Sequence, residues 1–177
     1  FINCLSLEDP HHDTELRSHT GYHPKTHLAV ATNLSDVEFE ILAEQMWNIF
    51  DANDDGNSQF LFVNVCKKER HRSVAARRLL YFYLTKVYKA IEKHLGRVVN
   101  IQLGREPRFH KKMCDRNCPE CDIGNRDNPM RDIIRDAEER FARRITEAIR
   151  TVGARKNRGP IFGCLLYTSD AADEASS

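Results

Sequence analysis

An excess of charge of either sign is missing from this chain. Its 177 residues carry 27 Lys and Arg against 26 Asp and Glu, a formal net charge of +1. A uniformly basic or acidic coat is therefore excluded, and any nucleic-acid footprint has to be local. Long hydrophobic runs are missing too. The longest, Leu79 to Leu84 and Phe60 to Cys66 with Asn64 inside, fall far short of the ~20 residues a bilayer helix needs, so no membrane span is expected. No charged-then-apolar leader precedes the first apolar residues, and the chain opens on Phe1. Six cysteines are too few for a disulfide scaffold at this length, and three of them lie between Cys114 and Cys121. That clustering suits a reduced, intracellular and cytoplasmic setting, with metal or thiol chemistry rather than disulfides.

What is present suits one globular domain over residues 1–153: 41% hydrophobic residues and a mass of 20.5 kDa. Residues 154–177 read as a disordered tail, and 164–174 resemble a translated sequencing adapter, so 164–177 are set aside as artefactual. Phe1 to Leu7 is a short apolar run readable as a strand, and 8–33 form a long polar loop. Ser35, with Glu38 three residues on, reads as a capping box. It opens a helix carrying Val37, Ile41, Leu42, Met46, Ile49 and Phe50, and the turn cluster 51–58 stops it. Gln59 to Cys66 is a β-branched and aromatic run that suits a buried parallel strand. Ser73 to Leu95 reads as a helix, Arg97 to Leu103 as a further strand, and Pro129 to about Val152 as a charged helix. Alternating strands and helices predict a three-layer α/β domain on a mostly parallel sheet, with an anion-binding loop between a central strand and a helix.

That loop is Cys66-Lys-Lys-Glu-Arg70-His71-Arg72-Ser73. Ligands of open α/β sheets bind beyond the carboxyl ends of strands, and a following helix N-terminus favours anions. Lys67, Lys68, Arg70, His71 and Arg72 add positive charge, and Arg72 can fork across two oxygens. The spacing of Cys66 and Arg72 also matches cysteine-dependent phosphatases, in which a thiolate attacks phosphorus while the arginine holds the phosphoryl group. Against that alternative, the loop has no glycine and no general-acid aspartate can be assigned.

Two motifs carry a resemblance. Cys66-x5-Arg72-Ser73-Val74, with His71 before the arginine, is similar to the C-x-G-G-x-H-R-S-V loop of the RapZ C-terminal domain family. Upstream, Asn3 through Pro10 and Leu16-Arg17-Ser-His-Thr20-Gly21 are similar to its D-x-R-x-L-x-N-P and L-R-x-x-T-G segments. The resemblance covers about residues 1–122. It implies an α/β domain that binds a phosphorylated small ligand, such as a phosphosugar or nucleotide. It also implies RNA binding and a part in oligomer formation, as in the family's bacterial adapters. Cys66, His71, Arg72 and Ser73 would line the pocket. Asn3, Arg17, Thr20 and Gly21 would converge on it, with His12 and His19 as secondary contacts. Lys68 and Glu69 stand where the family has paired glycines, Asn3 replaces its aspartate and Leu5 its arginine. Nucleotide hydrolysis is not carried over, because these residues hold no P-loop.

His110-Lys-Lys-Met-Cys114-Asp-Arg-Asn-Cys118-Pro-Glu-Cys121 is a candidate metal loop. Cys118-x-x-Cys121 is knuckle-like, and Cys114 and His110 complete a tetrahedral zinc set. Redox-active thiols are an equal alternative and an iron–sulfur loop a weaker one. Residues 66–112 hold fourteen Lys and Arg against three Glu, which reads either as a phosphate-backbone footprint or as a solvated helix face. Asp51 to Gly56 opens like an EF-hand loop, but Phe62 stands where the bidentate Glu belongs, so a helix-to-strand turn is expected. His11, His12, His19, His23 and His27 are spaced irregularly and read as loop histidines rather than ligands.

Overall fold

The computed structural model describes residues 2–3, 15–52, 64–65, 71–89, 101–102, 114 and 118–156. These residues are helical, which corrects the expected three-layer α/β architecture. Helices α1 (Pro24–Asn33), α2 (Asp36–Ala52), α3 (Arg72–Phe82) and α4 (Met130–Arg155) bury their apolar faces on one another. A π-helical turn, Tyr83–Tyr88, extends α3. Extended pairing among the described residues amounts to β1 (Ile2–Asn3) beside β2 (Asn64–Val65), two parallel residues a side and no sheet layer. Among the described residues the apolar faces of the helices are buried against one another, so the core forms between helices rather than on a sheet. Of the expected strand 97–103, only Ile101 and Gln102 are described, and neither lies in regular structure.

Helix α1 arises inside the segment expected to be loop. Pro24 takes an early position where its missing N–H costs nothing, and the His23 ring caps the first turn by accepting from Lys25 N at 3.3 Å. Helix α2 opens on the capping box read from the sequence. Glu38 N donates to Ser35 Oγ at 3.2 Å, and Ser35 N donates to Glu38 Oε2 at 2.7 Å. Its buried stripe is Phe39, Leu42, Ala43, Met46 and Trp47, whereas Val37 and Ile41 stand exposed at 67% and 52%. The apolar period was right for a helix but the face was rotated, because Phe39, Ala43 and Trp47 outweigh the β-branched pair.

Helix α4 is the spine, lying against α1 and α2. Phe141, Ile145, Ile149 and Val152 face Phe39, Met46 and Trp47 in one core with Leu79 and Tyr83. Gly153 lets the α4 backbone approach the Trp47 ring, where an added Cβ would lie 2.6 Å from Cζ3. Arg144 ties three elements. It stacks over Phe39 at 4.3 Å, donates to the Ala31 and Thr32 carbonyls at the end of α1, and meets Asp36 Oδ1 at 2.9 Å. Helix α4 continues to Arg155, beyond the expected end near Val152.

Glu138 on α4 is half-buried near Arg78 and Lys86. Burial pushes its carboxyl up to about 7, while the two cations pull the other way. A carboxyl raised on folding contributes stability that is full below its ordinary pKa and is lost as pH rises through about 7. Glu138→Gln keeps the uncharged form at every pH. Thermal melts of parent and variant should coincide near pH 4 and separate above pH 7, with the variant the more stable; coincident melts at pH 8 would contradict this.

Candidate metal centre

Three pieces of the chain converge here. The first is 15–23, whose backbone closes by His19 N to Leu16 O and His23 N to Thr20 O, both 3.1 Å. The second is Cys114, whose N–H donates to Ser18 O at 2.8 Å. The third is the Cys118-Pro-Glu-Cys121 knuckle, where Cys121 N and Asp122 N both donate to Cys118 O, at 3.0 and 3.1 Å. These two bonds close the turn that carries Cys118 and Cys121. Asn128 latches this knuckle to α4. Its Nδ2 donates to the Pro119 and Asp122 carbonyls, and its Oδ1 accepts from Met130 N at the helix start.

The convergence brings His19 to Cys114, Cys118 and Cys121, with one ligand atom from each within 4.8 Å of all the others. His19 Nδ1 lies 3.3 Å from Cys121 Sγ and 3.8 Å from Cys118 Sγ. A tetrahedral ion with Zn–N and Zn–S bonds of ordinary length sets an N···S edge of about 3.6 Å, so the two distances bracket what zinc would require. The donor set of one imidazole and three thiols also fits a closed structural site. The cluster can therefore hold a metal ion.

The expected ligand His110 lies outside the described residues; among those described, His19 is the imidazole that joins the three thiols. His19 is 102 residues from Cys121, so no local spacing could have pointed to it.

The electrostatics are those of enclosed, crowded thiols beside an imidazole. Burial pushes the Cys121 thiol far above its usual range, and the neighbouring Cys118 and Cys114 push the same way. Burial and the nearby His23 hold His19 below its ordinary value, while Glu120 opposes them. A divalent cation inverts the thiol balance by compensating crowded thiolates, and a neutral imidazole is the form that ligates.

A second group of His19, His23 and Glu120 also lies within 4.8 Å. Both nitrogens of buried His23 are already engaged. Nδ1 accepts from Lys25 N, so the ring proton sits on Nε2 and donates to Glu120 Oε2 at 3.0 Å. A metal at Nε2 would force that proton onto Nδ1 and break the cap of α1. This pair is therefore a brace between the knuckle and α1. It also holds the Glu120 carboxyl below its usual range, through the His23 hydrogen bond first. The sequence had set His23 aside as a loop histidine and had not marked Asn128.

The expected anion-site residues fall around the start of α3. His71, Arg72 and Ser73 are buried there at 3, 6 and 5% exposure. Thr20 is buried, and Gly21 sits directly on the His71 carbonyl, Ala75 N and Val74 Cβ. His71 Nε2 meets the His19 carbonyl at 2.7 Å. Arg17 belongs to the same 15–23 turn and its side chain is exposed. Asn3 is described as backbone alone, paired with Val65 just before Cys66. Cys66, Lys67, Lys68, Arg70 and His12 lie outside the described residues. No helix among those described is long and apolar enough to cross a membrane. Comparison with protein-family models, with curated proteins and with solved structures finds no match.

Proposed function

We propose that this chain is a non-catalytic binding domain, similar in its motifs to the RapZ C-terminal domain. A structural zinc ion on His19, Cys114, Cys118 and Cys121 would hold the 15–23 turn in place. That turn in turn flanks a site for a phosphorylated small ligand at the start of α3. The observation that carries this reading is the contact of the 19–21 turn with two partners at once. Its His19 side chain joins the thiol cluster, and its Gly21 backbone rests on the first turn of α3. Arg72 and Ser73, buried at that helix start, supply a guanidinium fork and a hydroxyl beside the positive end of the helix dipole.

Titration with inorganic phosphate and a phosphosugar tests this. Arg72→Ala should weaken binding by about 2–3 kcal/mol, as expected for a forked charge-assisted contact. Lys68→Ala should cost less than about 1 kcal/mol, because a screened lysine acts as a point charge. Unchanged affinity in Arg72→Ala would sink the reading. Turnover of an aryl phosphate that is lost in Cys66→Ser would favour the phosphatase alternative instead. RNA is a second candidate ligand, supported by the cationic excess of residues 66–112. In that case Lys86→Ala and Lys89→Ala should weaken binding and flatten its salt dependence.

A further inference from the structure

The geometry points to His71 as a positioning residue that links metal occupancy to the start of α3. This rests on the proposed zinc and anion sites but concerns how one sets the other. A carbonyl oxygen can only accept, so His71 Nε2 carries a proton and donates it to His19 O at 2.7 Å. Nε2 is thereby committed to the 15–23 turn, and the part assigned to His71 is placement of the helix start.

What it places is the first turn of α3. The His71 carbonyl accepts the Ala75 amide at 2.9 Å, the bond that starts the helix. Gly21 rests on these same two groups, with Ala75 N 2.7 Å from where a Cβ would stand. His19 is thus held at both ends, its ring by the thiols and its carbonyl by His71. An ion that fixes the ring fixes the carbonyl through one rigid residue. The carbonyl then fixes the register of the turn against the helix start. Loss of the ion releases the ring, and the His71 anchor becomes mobile with it. By linkage, an anion bound at the helix start must tighten the metal by the same factor that the metal tightens the anion.

The test compares the full chain loaded with zinc and stripped by a chelator. Trp47 fluorescence reports the helical core, which does not include the cluster. The readouts are hydrogen exchange at the Ala75 amide and affinity for inorganic phosphate. Zinc removal should leave Trp47 emission unchanged, speed Ala75 exchange and weaken phosphate by about tenfold. In His71→Leu, zinc should still bind, but Ala75 exchange and phosphate affinity should no longer respond to it. Equal Ala75 exchange with and without zinc in the parent overturns the link, whatever phosphate does. Zinc-dependent Ala75 exchange with no phosphate binding in either form keeps the link and overturns the proposed anion site. Zinc-dependent exchange that persists unchanged in His71→Leu also overturns the role given to His71.

Discussion

Gly21→Ala is expected to be the most disruptive glycine-to-alanine change among the described residues. A Cβ there would overlap the His71 carbonyl oxygen and would stand 2.7 Å from both Ala75 N and Val74 Cβ. Two of these three atoms are backbone of a helix's first turn, so no side chain can rotate away to make room. The added carbon must lift the 19–21 turn off α3 or distort the hydrogen bond that starts the helix. Overpacking of this kind costs about 3 kcal/mol. The damage should also reach the metal cluster, because His19 lies two residues away on the same turn. Denaturant unfolding should show the stability loss, and a zinc competition assay should show weaker binding in parallel. A variant as stable as the parent, with unchanged zinc affinity, would mean that the turn and α3 do not touch in solution.

The elements that could be read from sequence were those whose signals are local. The Ser35–Glu38 capping box opens α2 as expected, and the Pro129 region starts α4. Helix α1 was missed because its cap is a histidine, whose ring nitrogen does the work usually given to Ser, Thr, Asp or Asn. The sheet was expected from short β-branched runs, and periodicity alone cannot separate a short buried strand from a buried helix segment. The thiol half of the metal cluster was legible because Cys114, Cys118 and Cys121 are close in sequence. Its imidazole half was not, because the 15–23 turn meets the knuckle only through tertiary packing. The conjunction of Leu16-Arg17 with Thr20-Gly21 did mark the segment, and the residue it enclosed, His19, was expected as a secondary contact of the phosphorylated ligand rather than as a metal ligand.

Cys121→Ser should separate what the metal holds from what the core holds. Cys121 is the most enclosed of the three thiols, at 4% exposure, and its sulfur is 3.3 Å from His19 Nδ1. A serine hydroxyl does not ionise near neutral pH and makes a poor zinc ligand, so a closed four-ligand site becomes a three-ligand one. Loss of an outer-shell partner alone typically costs 10–100-fold in metal affinity, so loss of a direct ligand should cost at least about a hundredfold. In small zinc domains that loss unfolds the chain outright. Here it should not, because Phe39, Met46, Trp47, Phe141 and Ile145 pack with one another away from the cluster. Circular dichroism should therefore retain most of its helical signal. Proteolysis and hydrogen exchange should find the 15–23 and 118–128 turns newly open, since the ties that remain, among them Asn128, the His23–Glu120 brace and His71 on the His19 carbonyl, would lack the ion that joins the two turns. The same pattern should follow chelation of the parent, and acidification should reproduce it as protons displace the metal from its thiolates. Global unfolding of Cys121→Ser would instead assign the metal to the core's own stability, and an unchanged turn region would remove the cluster's structural role.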